Sequence, residues 1–85
     1  MSSWREMFGE ERKERGDDSP IVAVAPDESV LDVEFDAGFG LSEGPLFTVW
    51  TADRVYFPAV YDGSEWVASV SRHPDGQPTR HVGNE

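Results

Sequence analysis

One dipeptide, Asp62-Gly63, constrains the fold of this chain more than any other feature. It lies between two runs rich in β-branched and aromatic residues, which is typical of a two-residue type I′ hairpin turn. With this turn, strands 54–61 and 64–72 are antiparallel neighbours. The register that follows pairs Ala59 with Trp66, Phe57 with Ala68, and Val55 with Val70.

A second turn at Ala52-Asp53 adds strand 46–51 and completes a three-stranded meander. It places Trp50 opposite Val55 and Thr48 opposite Phe57. Large and small residues alternate across the pairs on this face, as packed side chains do. We therefore predict that this face is the core, made of Leu46, Trp50, Val55, Phe57, Trp66 and Val70.

The opposite face of the meander is also apolar, because it carries Val49, Tyr56, Val60 and Val67. An open one-layer sheet would leave these side chains in water, so another element or another molecule must cover them. Pro58 lies in the middle strand and has no amide to donate, which predicts a β-bulge at that position.

The first sixteen residues predict a helix that is suited to this covering role. Ser3 and Glu6 have the spacing of a capping box, and Trp4 and Phe8 form a short apolar stripe. Gly16 is the predicted C-terminal stop. The six residues Trp4, Phe8, Val49, Tyr56, Val60 and Val67 are thus a candidate interface, within the chain or between chains.

Two further strands are predicted at 21–25 and 31–36, the second from its alternation of apolar and acidic residues. The expected fold is mainly β. It is a small curled antiparallel sheet or an SH3-like barrel of about five strands, with one N-terminal helix. The predicted organisation is a helix at 1–16, a β-domain at 17–73 and a flexible tail at 74–85.

Charge is concentrated in the middle of the chain. The 85 residues carry 17 carboxylates against 7 basic side chains, a net charge of −10, and all of the excess falls between residues 17 and 65. Such a field repels phosphate backbones, so no nucleic-acid partner is expected. With one lysine, six arginines and abundant aspartate, the composition resembles that of proteins from salt-loving archaea. This resemblance implies a high-salt cytoplasm, where a screening length of about 3 Å at 1 M salt mutes self-repulsion.

Candidate sites for chemistry are few. His73, Asp75 and His81 offer two imidazoles and a carboxylate for zinc or nickel, but in a segment with prolines and a glycine. Gly38 and Gly40 lack the third glycine of a phosphate-binding loop. The acidic pairs at 17–18 and 27–28 lack the surroundings of a calcium loop. We therefore predict no catalytic residues, no metal site and no cofactor.

The function expected from these observations is that of a non-catalytic small domain that acts through protein–protein contact, with a protein partner or with itself. The alternatives are a small ligand- or metal-binding protein that uses the segment from His73 to His81, and an enzyme whose site forms between subunits. No apolar run is long enough to span a membrane, and residues 1–18 lack the apolar region of a secretory signal. A cytoplasmic location is therefore expected.

Overall fold

A computed structural model describes residues 2–36 and 44–82 of the chain. In chain order the elements are β1 (Ser2–Ser3), α1 (Trp4–Arg15), β2 (Ile21–Ala25), a 3₁₀ helix (Glu28–Asp32), β3 (Glu34–Phe35), β4 (Thr48–Thr51), β5 (Arg54–Tyr61) and β6 (Ser64–Ser71). One antiparallel sheet has the order β2-β4-β5-β6, and a second pairs β1 with β3. The prediction of a mainly β fold with one N-terminal helix is confirmed, and across the described ranges the sheets do not close into a barrel.

The predicted hairpin register is confirmed. β5 and β6 pair over their full length around Asp62 and Gly63, with Ala59 opposite Trp66. β4 joins β5 with Trp50 opposite Val55, as the turn at 52–53 predicts. The predicted pairing of Phe57 with Ala68 and of Val55 with Val70 is also present.

The predicted bulge at Pro58 is wrong, because β5 pairs with β6 without a break through Pro58. Hydrogen-bonded and non-hydrogen-bonded pairs alternate along an antiparallel ladder, starting from the hydrogen-bonded pair Tyr61–Ser64 at the turn. The nitrogen of Pro58 therefore points away from β6 toward the β4 side, where pairing ends at Tyr56. The missing amide costs no ladder hydrogen bond, and a register shift occurs instead in β2.

The predicted assignment of the core to one face of the sheet is wrong. The buried apolar cluster is formed by the opposite face together with the helix and residues 30–35: Trp4, Phe8, Val30, Leu31, Phe35, Phe47, Val49, Tyr56 and Val67. Leu46, predicted to be buried, is 83 % exposed, and the other members of its face are partly exposed. We call the helix-covered side of the four-stranded sheet the inner face, and the side with Trp50, Val55, Phe57, Trp66 and Val70 the outer face.

Helix α1 has the predicted end but not the predicted start. Gly16 adopts a left-handed conformation with φ 68°, and the amide of Asp17 donates to the carbonyl of Arg12 at 2.9 Å. Ser3 makes no side-chain capping hydrogen bond, so the predicted capping box is absent. Its backbone is extended and pairs with Glu34 in the two-stranded sheet, which anchors the start of the helix instead.

The predicted strand at 31–36 is also wrong in most of its length. The Asp27 carboxylate accepts from the Ser29 amide at 2.9 Å and caps the 3₁₀ helix. This turn buries the consecutive residues Val30 and Leu31 and leaves Val33 48 % exposed. Only Glu34–Phe35 is extended.

Trp4 is the centre of the core. It is fully buried, its Nε1 donates to the carbonyl of Pro45 at 2.7 Å, and its ring lies 4.5 Å from that of Phe35 and 5.0 Å from that of Phe47. A Cβ at Gly44 would overlap the Trp4 ring, so only glycine fits there. This close approach locks the start of the helix onto the sheet.

The chain after β6 has no helix or strand as far as residue 82, and residues 72–82 are exposed. The division at residues 1–16, 17–73 and 74–85 stays a prediction. The Gly38 and Gly40 pair and most of the predicted glycine-rich loop lie outside the described residues.

Candidate functional site

Five of the six residues of the candidate interface lie inside the chain. Trp4, Phe8, Val49, Tyr56 and Val67 are all buried in the core. Phe8 packs edge-on against Tyr56 with ring centroids 4.8 Å apart. Only Val60, which is 41 % exposed, lies at the surface. The chain's own helix covers these side chains, so the five buried ones offer no surface to a partner.

The surface that remains for a partner is the outer face of the four-stranded sheet. It carries Trp50, Val55, Phe57, Trp66 and Val70, all partly exposed, around the more buried Ala59 and Ala68. Within residues 2–36 and 44–82, helix α1 packs on the other side, against β6, and no helix or strand crosses the outer face. Large apolar side chains that are exposed together are typical of interaction surfaces.

The outer face is free of carboxylates. The register places Thr48, Tyr61 and Ser64 at its margins, beside the apolar side chains already named. None of the 17 acidic residues occupies an outward position of β4, β5 or β6. On a chain with a net charge of −10, this is an uncharged apolar surface.

A polar network closes one margin of the inner face. The Asp17 carboxylate accepts hydrogen bonds from Tyr56 Oη at 2.5 Å, Thr51 Oγ1 at 2.8 Å, and both the amide and the hydroxyl of Ser19. Desolvation by itself raises the pKa of Asp17, but the hydrogen bonds from Ser19, Tyr56 and Thr51 outweigh it. The pKa therefore lies well below its usual range.

The same network acts on Tyr56. Burial, together with the hydrogen bond to Asp17 and its negative charge, raises the pKa of the Tyr56 hydroxyl above its usual range. A carboxylate that stays ionised and a phenol that stays protonated do not exchange protons near neutral pH. The network therefore fastens the segment after α1 to the sheet rather than performing acid–base chemistry.

A second polar cluster lies between the helix and β6. Glu11 is 8 % exposed, and its Oε2 accepts from Ser69 Oγ at 2.8 Å and from Arg15 Nε at 3.0 Å. Arg54 Nε donates to Ser69 Oγ at 2.9 Å. Glu11 and Arg15 are four residues apart on α1 and form an i,i+4 ion pair.

Beside this cluster lies an open cleft of about 1190 Å³ between β6 and residues 73–82. The residues that line it include Arg15, Arg54, Arg80, His73 and His81. The cleft runs along β6, the last strand of the four-stranded sheet, and its lining includes Trp66, Ala68 and Val70 of the outer face.

The structure does not bring the candidate metal ligands of the segment from His73 to His81 together. His73 Nε2 lies 3.2 Å from the carbonyl of Ala52 and 3.5 Å from a carboxylate oxygen of Asp53, while Asp75 accepts from the amide of Gln77 at 2.9 Å. Throughout the part of the chain that the structure describes, no group of three or more histidine, aspartate or glutamate side chains is arranged to hold a metal ion.

The role of Asp17 is absent from the sequence predictions, in which it is only part of the acidic pair at 17–18. A signal was present, because Asp-x-Ser occurs at both 17–19 and 27–29. In each case the aspartate Oδ1 accepts from the amide and the hydroxyl of the serine two residues on. This is the local turn that aspartate and serine favour. The hydrogen bonds from Thr51 and Tyr56 have no such signal, since they span more than 30 residues of sequence.

Comparison of the chain with models of known protein families, with curated proteins and with solved structures finds no match. Among the described residues, no helix has the length and apolar character needed to cross a membrane.

Proposed function

We propose that this protein is a non-catalytic domain that acts through protein–protein contact in a high-salt cytoplasm, with a second copy of itself as the partner. The observation that carries the proposal is the outer face of the four-stranded sheet, where five large apolar side chains are partly exposed. The inner face, which the chain covers by itself, accounts for stability. Within residues 2–36 and 44–82 no helix or strand covers the outer face, which is therefore available for contact.

Charge favours a second copy as the occupant. Two molecules of net charge −10 repel each other through most of their surfaces, but the outer face brings no carboxylates together. At 1 M salt, with a screening length of about 3 Å, the repulsion between the remaining charges is largely removed. Contact through this face therefore strengthens as salt rises.

The size of the face fits a weak, reversible dimer. Four strands about 4.8 Å apart and up to eight residues long, at about 3.3 Å per residue, cover on the order of 500 Å². Two such faces together bury on the order of 1,000 Å², which is at the low end for a specific interface. We therefore expect a dimer at high protein concentration and high salt.

The test is sedimentation equilibrium of the full chain in dilute buffer and in molar KCl. We expect a monomer–dimer equilibrium that shifts toward dimer as the KCl concentration rises. Phe57→Glu introduces a carboxylate at the middle of each outer face and is expected to give a monomer at every salt concentration. Val33→Glu adds the same charge at a residue that is 48 % exposed and follows the 3₁₀ helix, so it should dimerise like the wild type. A wild-type protein that stays monomeric in molar KCl would refute self-association.

The high-salt part of the proposal has its own test in thermal unfolding. A compact chain of net charge −10 repels itself, so its unfolding midpoint should rise from dilute buffer to molar KCl. Measuring at several protein concentrations separates this effect from dimerisation, which makes the midpoint depend on concentration. A midpoint that falls or stays constant as KCl is added would contradict a high-salt environment.

A further inference from the structure

The segment that follows β6 is attached at its start to the turn between β4 and β5. The amide of Arg72 donates to the carbonyl of Asp53 at 2.9 Å, and the Arg72 guanidinium donates to the carbonyl of Thr51 at 2.8 Å. Ser71 Oγ donates to the carbonyl of His73 at 2.8 Å and accepts from its amide at 3.0 Å. These hydrogen bonds fix the point from which the rest of the segment extends.

Residues 74–82, which we call the strap, share a cleft with the outer face of the sheet. The cleft of about 1190 Å³ is lined by the strap and by Trp66, Ala68 and Val70. At about 3.3 Å per residue, the extended strap reaches about 30 Å, whereas β6 is about 26 Å long. The strap is therefore long enough to follow β6 from one end to the other.

The outer face has a depression beside its aromatic rings. The register pairs Ala68 with Phe57 and Ala59 with Trp66, so a small side chain lies next to each ring. Ala68 is 7 % exposed, and the partly exposed Trp66 and Val70 flank it on the same face of β6. Grooves lined by aromatic side chains are the surfaces on which proline-containing segments dock.

The composition of the strap suits it to cover such a surface. Pro74, Pro78 and Val82 are apolar, and all three are exposed. The charges of Asp75 and Arg80 cancel, in a chain of net charge −10. A proline has no amide to bury and its φ is already fixed, so covering an apolar surface with it costs little in unpaired donors or backbone entropy.

We propose that the strap closes onto the outer face at Trp66, Ala68 and Val70 and competes there with a second copy of the chain. This inference rests on the proposed self-association, which supplies the competitor. Closure takes apolar surface out of water within one molecule. Because only molecules with an open strap can dimerise, the apparent affinity of the dimer falls in proportion to the open fraction.

The contact within one molecule is tested by NMR on the full chain in molar KCl, at a concentration at which sedimentation shows a monomer. We expect cross-peaks between the ring of Trp66 and the side chains of Pro78 or Val82. They should disappear in the double variant Pro78→Ser, Val82→Ser. The absence of any cross-peak between the strap and the outer face in the wild type would overturn the inference, whether or not the protein dimerises.

The competition is tested by sedimentation equilibrium of the same proteins at higher concentration in molar KCl. The double variant Pro78→Ser, Val82→Ser should dimerise about fivefold more tightly than the wild type, because its strap no longer covers the outer face. The control, Gln77→Ser with Thr79→Ser, changes two polar residues of the strap and no charge, and should dimerise like the wild type.

The remaining outcomes separate the strap from the proposed function. A double variant that has lost the cross-peaks but dimerises no more tightly than the wild type would overturn the competition. If the wild type shows the cross-peaks and neither protein dimerises at any KCl concentration, self-association is refuted while closure of the strap is supported.

Discussion

The two faces of the four-stranded sheet carry similar apolar side chains, yet among the described residues a helix covers only one of them. On the inner face Val49 and Tyr56 are fully buried, whereas Trp50 and Phe57 on the outer face stay partly exposed. The difference arises from the helix, which reaches the inner face because β1 and Trp4 attach its first residues to that side. Apolar alternation thus determines which residues share a face, and long-range contacts determine which face becomes the core.

The two faces should differ most in how much free energy of unfolding is lost when a tryptophan is replaced by alanine. Trp4→Ala removes a fully buried ring and its hydrogen bond to Pro45, so it should lower the free energy of unfolding by about 3–5 kcal/mol. Trp66→Ala on the outer face should cost less than about 2 kcal/mol, because that ring is already partly in water. Urea unfolding in molar KCl measures both variants, and equal losses would contradict the division into a covered and an uncovered face.

A smaller loss in the free energy of unfolding is expected at Gly44, where the inner face has no space for an additional methyl group. A methyl group at Gly44 would overlap the Trp4 ring and lie 2.8 Å from Cζ of Phe35. Gly44→Ala should therefore cost about 1–3 kcal/mol through overpacking. Gly9→Ala is the matched control, since a Cβ there meets nothing within 4 Å. If Gly44→Ala were as stable as the wild type in urea unfolding, the close approach of residue 44 to Trp4 would be refuted.

The hydrogen-bond network around Asp17 predicts that the stability of the fold depends on pH. The pKa of Asp17 is lowered in the folded protein, so its contribution to stability is complete above its unfolded pKa of about 4 and is lost as pH falls toward the folded value. Asp17→Asn weakens the charge-assisted hydrogen bonds from Tyr56 and Thr51 and should cost about 1–3 kcal/mol at neutral pH.

The comparison that checks this prediction is urea unfolding of both proteins between about pH 7 and pH 2. The difference in stability between the wild type and Asp17→Asn should stay constant down to about pH 5 and then shrink. A difference that is independent of pH would show that the charge of Asp17 contributes nothing.

The smallest effect is expected at Leu46, which the sequence pattern predicts to lie in the core. It is 83 % exposed, so Leu46→Ala should change the free energy of unfolding by less than about 0.5 kcal/mol. If Leu46→Ala lowered the free energy of unfolding as much as Trp4→Ala, Leu46 would be part of the core, as the sequence predicts.

Local signals were sufficient to predict the register and the helix end. Asp62 and Gly63 define the hairpin because both adopt positive φ, of 51° and 82°, and Gly16 ends the helix in the same way. The turn and the helix end can be predicted from the sequence because each depends on the backbone preferences of only one or two residues.

The choice of core face and the polar sites depend on contacts between distant residues. Trp4 contacts Pro45 across 41 positions, and Ser69 donates to Glu11 across 58. Residues 31–36 alternate as a strand would, but the first two of them belong to the 3₁₀ helix that Asp27 caps. The cleft beside β6 depends on the path of residues 73–82, for which the sequence offers only prolines and a glycine.

The most direct test of the division between the two faces is an NMR experiment on an equal mixture of isotope-labelled and unlabelled protein in molar KCl. Filtered cross-peaks in such a sample arise only between two molecules. We expect intermolecular cross-peaks from the side chains of Trp50, Phe57 and Trp66, and none from Val49 or Val67. Intermolecular cross-peaks from Val49 and Val67, or a dimer without any from the outer face, would contradict this division.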